Sequence, residues 1–144
     1  MKPPLRKVMV VPLRLARDWE VLVLRRPPAK GSVWAPVTGS VEGGEADEAA
    51  AARELEEETG LGGAGALHPT GFVNRFTVAR EGGERAVEES VWAAVVRQGA
   101  PVRLSPEHVD ARWVEPGVAA EMVAFDGCKR GVREAARAVE ALLR

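Results

Sequence analysis

The chain has 144 residues, 46% of them hydrophobic, a length and apolar content that fit one compact domain (residues 1–144) with its own core. A formal net charge of −1, with four lysines and sixteen arginines scattered among acids, excludes the electrostatic footprint of a nucleic-acid binder. No run of roughly 18 apolar residues occurs and prolines interrupt the start, so neither a membrane span nor a signal peptide is expected. The single cysteine, Cys128, rules out an internal disulfide and fits a reducing cytoplasm, where it is expected to be an inert thiol.

Residues 5–16 (LRKVMVVPLRLA) are rich in Val and Leu and predict a strand, with Pro12 pointing to a sheet edge or a bulge. A turn around Asp18 leads to a second strand at 20–24 (EVLVL). The two prolines and the glycine of RRPPAKGS make a loop, and VWAPVTGSV is short and extended, running to Gly43-Gly44. Residues 46–59 have a helical pattern that stops at Gly60, a residue suited to a left-handed C-terminal position. Residues 72–79 and 86–97 predict two strands joined by a turn at REGGER, and 111–114 a further short strand. PEHVDARWVEPGVAAEM passes through a loop into a short helix, and 131–142 (GVREAARAVEAL) is an amphipathic C-terminal helix. Strands before, between and after a few helices predict a mixed α/β sandwich, a sheet covered by helices.

The unusual stretch is GSVEGGEADEAAAARELEEETGL, residues 39–61, which crowds Glu54, Glu56, Glu57 and Glu58 into little more than one helical turn. At about 100° per residue, and with Glu54 at zero, Glu57 falls near 300° and Glu58 near 40°, an arc of about 100°. Glu56 points away, while Ala51, Ala52, Leu55 and Thr59 provide the packing face. Two carboxylates about 4 Å apart repel by roughly 4 kcal/mol at an effective dielectric of 20. A divalent cation reverses that sign, and a donor set of oxygens without His or Cys favours Mg²⁺ or Mn²⁺ over Zn²⁺. Mg²⁺ bound by a few carboxylates is most often shared with substrate phosphates. Arg53, four residues before Glu57, stands beside the cluster and can pair with one of its members.

The spacing Gly39, Glu45, Arg53-Glu54-Leu55, Glu57-Glu58, Gly60-Leu61 resembles the Nudix box of the Nudix hydrolases, and every fixed position of that box is met. Such a match arises by chance in fewer than about one chain in a million at average residue frequencies. The resemblance implies an α/β/α sandwich with a mixed sheet and a loop–helix–loop site. It implies a hydrolase for nucleoside diphosphates linked to another moiety, with Glu54, Glu57 and Glu58 as metal ligands and one glutamate as the base for the attacking water. Arg53 and Glu45 would hold the loop and helix together, and Gly39 would allow the turn.

Outside the box, RRP, a tryptophan and VTGSVE resemble the bacterial dihydroneopterin triphosphate pyrophosphohydrolases, which also act on dATP, as does the segment SPEHVDARWVEPG. That similarity implies a nucleoside or pterin polyphosphate as the small-molecule partner, cleaved to a monophosphate and pyrophosphate by a monomer or homodimer. A dinucleoside polyphosphate or ADP-ribose hydrolase, and a nucleotide-sensing module without turnover, are the alternatives. An RNA-end processing enzyme would need a basic track that this chain lacks.

Glu107, in SPEH, is a candidate further metal ligand, the other reading being a turn cap beside Pro106. Of Glu88 and Glu89, one is expected in solvent and one facing the site. His108 is a candidate substrate contact or a capping residue, and His68, next to Pro69, is structural. Arg25, Arg26 and Lys30 precede the box as candidate phosphate ligands, with Lys7 a further one. Trp34 has an indole face suited to stacking on a flat ring, or to packing under the turn; Trp92 and Trp113 are expected in the core, and Trp19 at a partly exposed turn.

Overall fold

Residues Val8 to Leu13 form an unbroken buried run, including Pro12, so their strand is covered on both faces and lies inside the sheet. A computed structural model describes residues 2–142. In chain order its elements are β1 (Leu5–Leu15), β2 (Trp19–Arg25), β3 (Trp34–Ala35), β4 (Val37–Ser40) and α1 (Asp47–Thr59). They continue with β5 (Gly65–Arg80), β6 (Gly83–Val96), β7 (Asp110–Val114), α2 (Pro116–Met122) and α3 (Asp126–Leu142). The seven strands make one mixed sheet in the order β3-β2-β1-β6-β5, with β4 also paired to β1 and β7 to β2. β1 and β6 run parallel and the remaining pairs antiparallel.

Pro12 does not mark an edge. One side of β1 pairs with β4 from Lys7 to Val10 and with β2 from Leu13 to Leu15. Pro12 occupies the gap between these partners, where its missing N–H breaks neither ladder.

Strand alternation divides the apolar residues between two cores. Met9, Val11, Leu13, Val21, Val23 and Val91 face α2 and α3, where Val132, Ala135 and Val139 meet them. Val8, Val10, Leu22, Leu24, Ala94 and Val96 face α1, through Ala50, Ala51 and Leu55. The result is the expected α/β/α sandwich. Trp92 and Trp113 pack against the α1-side core, and Trp19 is half-buried against the other.

Two elements start earlier than the sequence pattern predicts. β5 begins at Gly65, and its pairing with β6 is interrupted between Pro69 and Val73, around Gly71 with φ 81°. α3 begins at Asp126, whose charge suits a helix N-terminus. Gly131 sits in its interior because a Cβ there would run into Met9 Sδ. Among the described residues no helix is long and apolar enough to cross a membrane.

Candidate active site

The buried face of α1 comprises Ala50, Ala51, Glu54, Leu55, Glu58 and Thr59, so it extends into the carboxylate cluster. Ala52, expected on the packing face, is exposed, because the helix is rotated to carry two glutamates inward instead. Glu54 and Glu58 are 8% and 5% exposed, while the Glu57 side chain is 55% exposed and Glu56 points to solvent. At the end of the helix Gly60 adopts φ 71° and its N–H donates to Glu56 O at 2.9 Å, as the sequence predicts.

Gly39 does not form a turn. It lies within extended β4, without a positive φ, and a Cβ there would overlap the Glu54 carboxyl group. Its hydrogen is the clearance that lets α1 press Glu54 against the sheet edge.

Arg53 joins the loop to the helix. Its Nε and Nη2 donate to the two Glu45 oxygens, both at 2.9 Å, and Nη2 donates to Ser40 O at 2.9 Å. Nη1 reaches Glu54 Oε1 at 2.8 Å and Glu57 Oε2 at 3.4 Å. Glu45 also accepts the Glu42 backbone N–H at 3.0 Å. The Arg53 donors, followed by that N–H, hold the Glu45 carboxyl down at about 2. The same pairing raises the pKa of Arg53. Burial pushes the Glu54 carboxyl above its usual range against the opposing pull of Arg53.

The segment SPEH closes over the other end of the cluster. Arg103 N–H donates to Thr59 O at 2.8 Å and Ser105 N–H to Glu58 O at 3.3 Å, so the segment satisfies carbonyls that α1 leaves free. Ser105 Oγ donates to Glu58 Oε2 at 2.9 Å and accepts the Glu107 N–H at 3.3 Å. Glu107 is therefore held in a tight turn beside Glu58. Burial, then the neighbouring Glu107 carboxyl, pushes Glu58 up to about 7, with Ser105 opposing. His108 is 8% exposed at its side chain, with Nδ1 2.8 Å from Glu58 Oε2. That approach is off the line of a hydrogen bond, and Nδ1 has no aligned partner. Burial and then Arg26 lower the pKa of His108, which makes a neutral ring against Glu58 the favoured form.

The expected ligands thus gather at the C-terminal half of α1. Among the described residues, however, no three His, Cys, Asp or Glu side chains converge into a closed metal cage. Arg53 draws Glu54 and Glu57 to one side, while Ser105 and His108 take Glu58 to the other.

Two neighbouring cavities lie near this end of the sheet, the smaller of them reaching Glu107. The smaller, about 390 Å³, is lined by Arg26, Pro27, Lys30, Thr38, Pro106, Glu107 and His108. The larger, about 570 Å³, includes Lys7, Asn74, Phe76, Glu89, Phe125 and Cys128. Arg26 and Thr38 line both, so the two cavities are neighbours. Arg26 and Lys30 line the smaller cavity, and Arg26 and Lys7 the larger. Of the two readings of Trp34, packing is the one observed: it lines neither cavity, packs against the α3-side core, and carries Arg112 over its ring at 5.2 Å. Arg25 also leaves the site, at 6.0 Å from the same ring and with Nε donating to Ser32 O at 3.2 Å. Glu89 is buried and faces the larger cavity, whereas Glu88 is on the surface beside Arg75 at 3.2 Å. His68 lies in β5 opposite Ala93, away from the carboxylates. Burial pushes the Cys128 thiol up to about 11, so it stays protonated.

Thr38, Asn74, Ser105, Phe76 and Phe125 were not legible as site residues. Only Ser105 carried a signal, a hydroxyl two residues before an acid in a proline turn.

The NUDIX domain family model matches residues 3–130, and the chain belongs to that family. It is 37% identical over 134 residues to an octanoyltransferase of Myxococcus xanthus, a match that covers 92% of this chain but 37% of that protein. The chain therefore spans little more than a third of that relative's length. Over 103 residues it is 32% identical to the bis(5'-nucleosyl)-tetraphosphatase (asymmetrical) of Rattus norvegicus, covering 70% of this chain and 68% of the relative. The crystal structure of a C. elegans Ap4A hydrolase binary complex superposes with a TM-score of 0.75 at 23% identity, covering 95% of this chain and 98% of that one. The E. coli dihydroneopterin triphosphate pyrophosphohydrolase superposes at 0.72 and 21%, covering 90% and 92%. At these identities the likeness to the solved structures shows the fold.

Proposed function

We propose that the protein is a Mg²⁺-dependent pyrophosphohydrolase, with Mn²⁺ as a substitute. It opens a phosphoanhydride bond of a nucleoside-triphosphate-like substrate, pterin or purine, and releases a monophosphate and pyrophosphate. Dihydroneopterin triphosphate and dATP are the candidate substrates. The observation that carries this reading is that Glu54, Glu57 and Glu58 follow one another along the end of α1 while Glu107, held beside Glu58, lines a cavity together with Arg26 and Lys30.

The donor set fits a hard divalent cation. It consists of carboxylate oxygens, and burial makes the charged forms of Glu54 and Glu58 costly unless a positive charge is close. Glu54, Glu57, Glu58 and Glu107 would hold the cation. When bound, it neutralises polyphosphate charge and makes a coordinated water more acidic. Arg53 orients Glu54 and Glu57 through Nη1 and is itself fixed by Glu45 and Ser40 O. Arg26 and Lys30 bind the phosphate chain and hold it in line for attack. One carboxylate of the cluster accepts the proton of the attacking water.

A second reading, a dinucleoside polyphosphate hydrolase, is favoured by the 32% identity to the rat tetraphosphatase. Both are tested by a Mg²⁺-dependent hydrolysis panel of dihydroneopterin triphosphate, dNTPs, ADP-ribose and diadenosine polyphosphates, with products resolved by chromatography. Pyrophosphate release from a triphosphate supports the first reading. Preferred cleavage of a diadenosine polyphosphate supports the second. No turnover of any of them moves the protein to a nucleotide-sensing module.

A further inference from the structure

The larger cavity has a floor and a mouth of different chemistry. Glu89 lies at its floor, 4% exposed, in a row across three strands: Lys7 is its neighbour on β1 and Asn74 its neighbour on β5. Asn74 Nδ2 donates to Glu89 Oε1 at 3.1 Å. The opposite amide orientation would set two acceptors against each other, so the carboxylate fixes which way the amide faces. Among the described residues no cation stands within salt-bridge distance of Glu89, and its Oε2 accepts no hydrogen bond from the protein. Asn74 is seated by Gly127, where a Cβ would strike both amide atoms. At the mouth, Phe76 and Phe125 are 36% and 55% exposed and leave aromatic surface open beside the cavity.

A buried carboxylate and an amide oxygen offer acceptors and ask for donors. A flat ring whose edge carries a ring N–H beside an exocyclic NH₂ presents two parallel donors at the spacing of a carboxylate. Adenine presents an acceptor nitrogen beside its amine, and that nitrogen would face a carboxylate lone pair. The aromatic mouth suits either ring; the floor discriminates between them.

We infer that Glu89, positioned by Asn74, reads the 2-amino-4-oxopyrimidine edge shared by guanine and pterin rings, and so sets substrate class for this site. The inference rests on the hydrolase reading for the reaction but concerns only the ring. It places a pterin or guanosine triphosphate ahead of dATP.

The test compares kcat/KM for GTP, ITP, ATP and dihydroneopterin triphosphate in the wild-type protein, Glu89→Gln and Gly127→Ala. ITP differs from GTP by the 2-amino group alone. Calorimetric binding of GMP, IMP and AMP runs alongside. Wild-type protein is expected to favour GTP over ATP by about 5- to 150-fold, the range of one bidentate contact, and GTP over ITP by a smaller factor, since ITP keeps the ring N–H. Glu89→Gln should bring both ratios to near parity with an unchanged melting temperature. Gly127→Ala, which displaces Asn74 and leaves Glu89 in place, should narrow the ratios even if Glu89→Gln fails to fold. Comparison of GTP with dihydroneopterin triphosphate decides which ring system is preferred. Equal turnover of GTP, ITP and ATP overturns the inference and leaves the hydrolase reading intact. So does an equal loss for all substrates in Glu89→Gln, which would make Glu89 a mere counter-charge for Lys7 and Arg26. No turnover combined with tighter binding of GMP than IMP would remove the hydrolase reading and keep the ring site.

Discussion

Gly39→Ala separates two explanations for the first residue of the box. A turn glycine is needed for its backbone; a clearance glycine is needed for the space beside it. Gly39 is extended and has no positive φ, so alanine is conformationally acceptable there and should gain about 0.5–1 kcal/mol from the unfolded state. Against this stands the overlap of the new methyl with the Glu54 carboxyl group. Forcing an extra methyl into a packed site costs about 1–3 kcal/mol, and turning Glu54 aside loosens its 2.8 Å contact with Arg53. The net expectation is a destabilisation of about 1–2 kcal/mol, roughly 3–8 °C in Tm for a domain of this size. Turnover should fall by more than the stability loss explains, because Glu54 is displaced. The assay is thermal and urea unfolding of a four-member cycle: wild type, Gly39→Ala, Glu54→Ala and the double variant. If clearance is the reason, removing the Glu54 carboxylate converts the penalty into a small gain of about 0.5 kcal/mol. A penalty of unchanged size in the Glu54→Ala background would refute the clearance argument and restore the turn.

The metal-free protein in EDTA should show two opposite pH windows. Glu58 is raised from 4.5 to about 7, so between those values the native state holds more protons and stability falls as pH rises; Glu58→Gln should flatten this slope in unfolding titrations. Glu45 is lowered from 4.5 to about 2, so its contribution is present above 4.5 and is lost as pH falls toward 2; a Glu45→Gln variant that keeps the acid-side slope would contradict it. Arg53→Lys gives up the two-pronged contact with Glu45 and should lose about 1–3 kcal/mol together with turnover, read by melting and by a hydrolysis rate. Glu57→Gln, at an exposed position, should leave stability within about 0.5 kcal/mol while reducing hydrolysis by about a hundredfold or more; wild-type rates would count against the carboxylate cluster as the metal site.

Periodicity carried the fold a long way. Alternation along residues 8–13, 21–24 and 91–96 separates two cores, and the helix from Asp47 to Thr59 was visible in its spacing and its closing glycine. What local pattern could not give was contact between distant segments. Ala52 reads as a packing residue and Glu54 as a member of the carboxylate cluster alone, until the rotation of α1 against β4 shows Ala52 exposed and Glu54 buried. Pro12 reads as an edge or a bulge residue because sequence does not reveal that β1 changes partner beside it. Trp34 reads as either a stacking or a packing residue until its place against the α3-side core, with Arg112 over its ring, decides for packing. The early start of β5 was hidden by Pro69 and Gly71, which break the pattern at an interruption in the pairing while the strand continues. Asn74 and Phe125 had no signal, since each acquires meaning only from what lies opposite.

The buried acids follow one rule that links stability to chemistry. Glu54 is held by Arg53, Glu58 by Ser105 and Glu89 by Asn74, each through one short hydrogen bond. One donor offsets part of the desolvation of a carboxylate and leaves further acceptor capacity unused. A core built only for stability would replace such groups with apolar side chains or pair them fully. Here the unused capacity is divided by β4: Glu54 and Glu58 lie on the α1 side, while Glu89 faces the cavity beneath α3. Arg26, just after β2, and Thr38, on β4, bound both cavities. On the proposed hydrolase reading, a polyphosphate held by Arg26 and Lys30 would turn its ring toward Glu89 past Arg26 and Thr38, the residues the two cavities share.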